Sequence, residues 1–255
     1  MTDETKLKLS DTQGVYFRDK LRDARYAVLR DSEAFDEVLF ALERLGVFLF
    51  GEKVATLSCY QANLNDLSKK SCLSKDIPKK FNMYHIPFHK LYEMVMSARN
   101  DALHQGAIAR HLARHAIELS LILEDALMSE ANKVCHFMVR DVVCAEEWQP
   151  LSFIRQNMLT NSFSYLPVCV DGKWKIISDY AIASYLRSVN SEERKERLAK
   201  RLSESVKDDL EKAETCDENT DVSAILDKLR KNTGKPILVI SDKKLVGILT
   251  SFDLL

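Results

Sequence analysis

The sequence predicts two regions of different class, an all-α helical bundle over residues 1–131 and an α+β region built from a repeated unit after it. Three observations carry that reading. At 255 residues the chain has room for two domains of common size. From Val15 to about Ser129 apolar residues recur at helical spacing, and strand alternation is hard to find. After Asn132 short β-rich runs take over, in an order that occurs twice.

In the first region, Phe35, Val38, Leu39, Leu42 and Leu45 fall on one stripe of a helix, with Ser32 where its N-cap is expected. The polar stretch from Asn63 to His85, which contains Pro78, reads as a long connection with one short helix. Two further helical patterns follow, from Phe88 to Ala98 and from Ala107 to Ser129. The second is apolar over much of its circumference beyond Ala116, which places it at the centre of a bundle.

The second region runs DVVCA, a helical PLSFIRQNML, then YLPVCV and WKIIS. A helical DVSAILDKLRKN, PILVIS and LVGILT repeat the order. The expected domains are 1–131, a first repeat 134–190, a charged linker helix 191–212 and a second repeat 213–255. The linker reads as a solvated helix because acidic and basic residues alternate and apolar positions are few.

Hydrophobic residues at 46% and charged residues at 29% are the balance of a globular chain rather than a disordered one. A net charge of −1 argues against a surface that coats nucleic acid throughout, while leaving room for a basic patch. The longest apolar run, LGVFLF at Leu45 to Phe50, is far short of the roughly 18 residues of a membrane span. With a polar N-terminus, the expectation is a cytoplasmic protein with no membrane partner. The six cysteines show no C-x-x-C pair and no histidine placed to complete a zinc site. They read as reduced thiols, most of them buried.

The second repeat ends in KPILVISDKKLVGILTSFDLL. Gly247 allows close approach of a ligand or backbone. Thr250, where strand gives way to helix, can offer its hydroxyl to a phosphate, and Asp253 can accept from ribose hydroxyls. The alternative is a tight turn with a helix cap. This string resembles the CBS domain, in which the two latter positions contact adenosine nucleotides. The resemblance implies a tandem CBS pair and a regulatory adenine nucleotide such as AMP, ADP or ATP. Its pocket would be formed by Thr250, Asp253, Gly247, Pro236 and Cys216. The first repeat resembles the same module through SYLPVCVDGKWKIIS, but has Lys175, Ser178 and Ala181 at the glycine, threonine and aspartate positions. Without that carboxylate, one competent site per chain is expected, the first copy being mainly structural.

In the helical region the informative string is MSARNDALHQGAIARHLARH. Arg99 and His104 are separated by four residues, with Asn100 directly after the arginine. The pattern resembles the HEPN family of dimeric all-helical domains, many of them metal-independent ribonucleases. The resemblance implies an RNA substrate, a homodimer and a toxin-like or defence role. The chemistry suits the residues. A histidine titrating near neutrality can transfer the proton of the 2′-hydroxyl, worth about 10²–10⁴-fold. A guanidinium can stabilise the charge on phosphorus. His104 is thus the expected acid/base, Arg99 the phosphate stabiliser and Asn100 the orienting group. At 100° per residue His104, His111 and His115 share roughly a 40° arc. Arg110 and Arg114 lie beside it, a strip that could track an RNA backbone or be a solvated face. No third metal ligand is evident near His111 and His115, so no metal is expected and catalysis needs no cofactor.

The expected function is an adenine-nucleotide-sensing endoribonuclease regulated by its CBS pair. The alternative is a non-catalytic sensor whose helical domain dimerises or docks on a partner. Arg99 and His104 would then make a structural hydrogen bond.

Overall fold

Ser10 opens the first helix with a reciprocal cap: its hydroxyl accepts from the Gln13 N–H at 3.3 Å, and its own N–H donates to Gln13 Oε1 at 2.9 Å. Helix α1 (Asp11–Arg30) leads into α2 (Asp36–Phe50), which ends at Gly51 with φ +91°, a left-handed cap suited to glycine. Then come α3 (Gln61–Ser68), α4 (Asp76–Lys80), α5 (Phe88–Asp101) and α6 (Gly106–Met128). The structure is a computed structural model describing residues 9–53, 56–101, 106–187, 189–232 and 234–255, with backbone alone for 98–101 and 106–111. The chain divides into two units, Met1–Ala131 and Asn132–Leu255.

Every element among the described residues of the first unit is a helix or a 3-10 turn. Helix α6 packs against α1, α3 and α5, and its Ala116, Leu119, Leu123 and Ala126 are buried with Leu21, Leu42, Leu45 and Leu91. Two polar features sit in that core. Glu124, buried on α6, takes both Arg25 donors, Nε at 2.9 Å and a terminal nitrogen at 3.1 Å, and Arg22 Nε lies 3.7 Å away. Burial alone would lower the Arg25 pKa, but the hydrogen bond and charge of Glu124 hold it above its ordinary value. The Tyr92 hydroxyl donates to the Leu57 carbonyl at 2.7 Å, and burial pushes its pKa well up. Gly46 is needed for packing: a Cβ there would lie 2.5 Å from Cγ of the fully buried Tyr60.

Three local expectations are corrected here. Ser32 is not the cap of α2; it begins a short 3-10 turn capped by Asp31, whose side chain accepts from the Glu33 N–H at 2.9 Å. The stretch from Asn63 to His85 is not a connection with one short helix. It holds the end of α3, a 3-10 turn at Cys72–Ser74 and α4, with Leu64 and Leu67 buried. Nor are most cysteines buried: Cys59, Cys72 and Cys169 are exposed and Cys135, Cys144 and Cys216 half-buried.

The second unit is α+β. It contains α7 (Val134–Phe137), α8 (Leu151–Asn161), β1 (Tyr165–Val170), β2 (Lys173–Ser178), α9 (Asp179–Tyr185), α10 (Ser191–Ala199), α11 (Leu202–Ser205), β3 (Glu211–Lys212), β4 (Glu214–Cys216), α12 (Val222–Lys231), β5 (Ile237–Ser241) and β6 (Lys244–Leu249). Two three-stranded sheets form, β1-β2-β3 and β4-β5-β6. The duplication is plain in the hydrogen bonding. In the second copy β4 runs parallel to β5, which pairs antiparallel with β6; in the first, Ala145 bridges Val168 of β1 in parallel and β1 pairs antiparallel with β2. Both hairpins turn on two residues with positive φ, Asp171-Gly172 and Asp242-Lys243, as type I′ turns require.

Each copy is completed by the segment that leads into the other. Val134 N donates to Thr220 O at 2.9 Å and Cys135 N to Glu218 O at 2.8 Å, so α7 seats on the second copy. Leu202 N donates to Gln149 O at 3.0 Å and Ser203 N to Glu147 O at 3.1 Å, so α11 seats on the first. Side chains follow: Val134 and Met138 pack with Ile225, Val239 and Leu249, while Leu202, Val206 and Leu210 pack with Ile154, Leu166 and Val168. The strands cross likewise, Val139 bridging Ile248 of β6 and β3 pairing with β2. Between the sheets, Ile176, Ala213 and Leu238 form a shared core.

The charged segment 191–212 is therefore not one linker helix. Helix α10 is solvated, with no buried residue, but the chain turns at Lys200, and Leu202, Val206 and Leu210 are buried beyond it. Three apolar residues spaced by four are a buried stripe that surrounding charges hide in a composition reading.

A stability prediction follows from the Arg25–Glu124 pair. Glu124→Ala, which strands a buried guanidinium, should cost about 3–5 kcal/mol in urea unfolding. The double variant Arg25→Met/Glu124→Leu should recover much of that loss. Equal stability of wild type and Glu124→Ala would show the pair to be solvated.

Candidate functional site

The end of β6 brings several of the expected residues together. Leu249 pairs with Ile237, so, continuing that register, Thr250 lies across from the buried Pro236 at the open end of the sheet. Asp253 stands three residues on, in a four-residue 3-10 turn, Ser251–Leu254. Both the backbone N–H and the hydroxyl of Thr250 donate to Asp253 Oδ2, each at 2.8 Å. The sequence alternative of a capped turn is thus present in the geometry. The groups this turn presents are the hydroxyl of Thr250 and the carboxylate of Asp253.

Cys216 and Gly247 lie further into the sheet, in one row with Val239 between them. Cys216 packs against the apolar cluster beneath, and burial pushes its thiol up to about 11. The space over Gly247 is taken by a side chain rather than a backbone: a Cβ there would meet Met138 Sδ at 2.5 Å. Sequence reasoning missed Met138, since nothing in its spacing ties it to a residue over a hundred positions away. It also missed Lys235, directly before Pro236. The Lys235 ammonium pairs with Glu211 of β3, and that hydrogen bond raises its pKa. This joins the open end of one sheet to the edge of the other.

The family model of the CBS domain matches residues 206–255. The C-terminal segment is a CBS domain. Solved structures of similar outline include a protein described as acetoin utilization protein AcuB from Vibrio cholerae, 17% identical, covering 48% of this chain and 86% of that one at TM-score 0.40. A CBS-domain containing protein from Agrobacterium tumefaciens is 15% identical over 49% of this chain and 91% of its own, at TM-score 0.39. The CBS domain pair of protein MJ0100, solved with 5′-methylthioadenosine and S-adenosyl-L-methionine, is 20% identical over 48% of this chain and 95% of its own, at TM-score 0.38. Among curated proteins, none matches the chain.

In the copy that precedes the CBS domain, Ser178 stands where Thr250 stands in the domain, and its hydroxyl accepts from the Ala181 N–H at 3.1 Å. Ala181, at the place of Asp253, is buried in the apolar cluster under β1. A methyl group there offers a ribose nothing to bond.

In the helical unit, His104 lies outside the described residues. Arg99 and Asn100 fall in the last turns of α5, and Arg110 and His111 in the first turns of α6, as backbone positions. Arg114 is exposed and its Nε pairs with Glu118 at 2.9 Å. His115 Nδ1 lies 3.8 Å from the same carboxylate. Glu118 therefore offsets charge that the sequence reading assigned to a basic strip. Among the described residues no cluster of His, Cys, Asp and Glu could hold a metal ion, and no helix is long and apolar enough to cross a membrane.

The Met138 contact predicts a coupled pair. Gly247→Ala should destabilise the protein by about 1–3 kcal/mol through overpacking. In a Met138→Ala background the same change should cost far less, a non-additivity that a double-mutant cycle in urea reads directly. Additive costs would mean that Met138 moves aside freely. The half-buried Cys216 should also react with iodoacetamide at pH 8 far more slowly than exposed Cys59, Cys72 and Cys169, as peptide mapping would show.

Proposed function

We propose that the C-terminal unit is a tandem CBS pair that senses an adenine nucleotide and regulates a metal-independent endoribonuclease in the helical unit. The observation that carries the sensor is the Thr250–Asp253 pair at the open end of β6, inside a CBS domain. A carboxylate has about four acceptor sites. Asp253 can therefore keep the Thr250 N–H while exchanging the Thr250 hydroxyl for ribose hydroxyls. That exchange frees the hydroxyl to donate to a phosphate. Pro236 lies beside this pair at the strand end, whereas Gly247 and Cys216 sit against Met138 and the apolar cluster and leave no room for a ligand over them. The Ala181 copy remains structural.

Support for the catalytic half is the R-N-x-x-x-H pattern at Arg99, Asn100 and His104. In the proposed reaction His104 takes the 2′-hydroxyl proton as that oxygen attacks the adjacent phosphorus. Arg99 stabilises the charge gathering on the phosphoryl oxygens while the bond to the leaving 5′-oxygen breaks, that oxygen takes the proton back from the His104 imidazolium, and Asn100 orients the pair. The active form is a homodimer with one motif from each chain. A nucleotide that binds one arrangement of the CBS pairs more tightly shifts the population toward it.

Two measurements test the halves separately. Isothermal titration with AMP, ADP and ATP should show one site per chain, weakened at least tenfold by Asp253→Asn, which keeps an oxygen to accept from the Thr250 N–H. No binding by wild type up to millimolar concentrations would remove the sensor. Cleavage of labelled RNA in EDTA should fall by about 10²–10⁴-fold in His104→Ala and change in wild type when nucleotide is added. A folded dimer that cuts no RNA, with or without nucleotide, would leave a non-catalytic sensor.

A further inference from the structure

Helices α1 and α2 leave a groove of about 520 Å³ on the helical unit, lined by Tyr16, Phe17, Phe40, Arg44, Phe48 and Lys53 among others. The volume lies within the roughly 300–1,000 Å³ of ordinary ligand sites. Its floor is the buried Phe17, whose ring centroid lies 5.1 Å from that of Phe48. Its walls are two rings open to solvent, Tyr16 at 49% and Phe40 at 55% exposure.

Helix α2 accounts for this arrangement. Val38, Leu39, Leu42 and Leu45 bury one side of it. Phe40, Arg44 and Phe48 follow four apart beside that side: Phe48 packs partly against the core, while Phe40 and Arg44 stay exposed. Folding gains little from aromatic rings left in water, and a clustered pair of them marks a surface that meets something.

Charge narrows what that is. Arg44 is exposed, and among the described residues no ion pair engages it. Lys53 is held 3.5 Å from Glu43, and the Lys20 ammonium stands 5.9 Å from the Tyr16 ring centroid. A helical peptide partner would call for aliphatic holes along the walls. Open rings beside an uncompensated guanidinium suit flat, π-faced groups joined by negative charge.

We propose that this groove binds single-stranded nucleic acid, with bases stacked on Tyr16 and Phe40 and a phosphate paired with Arg44. The choice of RNA over DNA rests on the ribonuclease reading; the groove itself does not. It would grip the strand independently of the chemistry at Arg99 and His104.

The test is fluorescence anisotropy of a short fluorescein-labelled oligouridylate on full-length protein carrying His104→Ala, so that the probe survives. Phe40→Ala and Arg44→Ala should each weaken binding about tenfold, Arg44→Glu more, and Tyr16→Phe little because the ring remains. Added salt should weaken the parent more than Arg44→Ala. The three groove positions changed are exposed, and unchanged thermal midpoints would confirm intact folds. Groove variants that bind as tightly as the parent would overturn the proposal while leaving cleavage by wild type, and hence the ribonuclease reading, untouched. A poly-glutamate probe bound as well as the oligonucleotide would make the groove a site for acidic peptide and overturn it too. So would a parent that binds no oligonucleotide.

Discussion

The second unit depends on the reciprocal seating of α7 and α11. Each copy has a small sheet and few helices of its own, α8 and α9 in the first and α12 in the second, too little to cover both sheet faces. The shared core of Ile176, Ala213 and Leu238 covers one face of each. The other needs a further helix, and it comes from the segment leading into the opposite copy. Neither copy has a complete core without the other, so the pair forms a single cooperative body. The same constraint explains why the charged segment between the copies carries Leu202, Val206 and Leu210, which are buried despite their neighbours.

That seating reaches the candidate site. Met138, just past α7, fills the space over Gly247, three residues before Thr250. Lys235 and Glu211 tie the open end of one sheet to the edge strand of the other. The Thr250–Asp253 turn therefore lies beside two of the contacts that join the copies. Packed interfaces of this kind hold discrete arrangements rather than bending continuously.

The helical unit is organised around α6. Its apolar face supplies the centre of the core, and Glu124 draws the guanidinium of Arg25 from α1 into a paired, desolvated contact. Such a pair adds little stability over an apolar substitute, but it fixes which faces of the two helices meet. Tyr16 of α1 and Phe40 of α2 are left facing outward along one groove.

Much of this architecture was legible in the residues. Helical spacing up to Ser129, the change of pattern at Asn132 and the twice-repeated order of strands and helices all depend on local periodicity, which one sequence records. So did the meeting of Thr250 with Asp253, because three residues span a single turn. Ser32 was misplaced as the cap of α2 because a 3-10 turn, capped by Asp31, comes between it and that helix. What the residues could not show is everything decided by contacts between distant segments. The exchange of leading helices, Met138 over Gly247, Lys235 on Glu211 and the outward groove of α1 and α2 all join positions far apart in the chain. Periodicity says which face of an element is buried, and tertiary structure decides against what, because apolar burial is non-directional and its partner is chosen by shape.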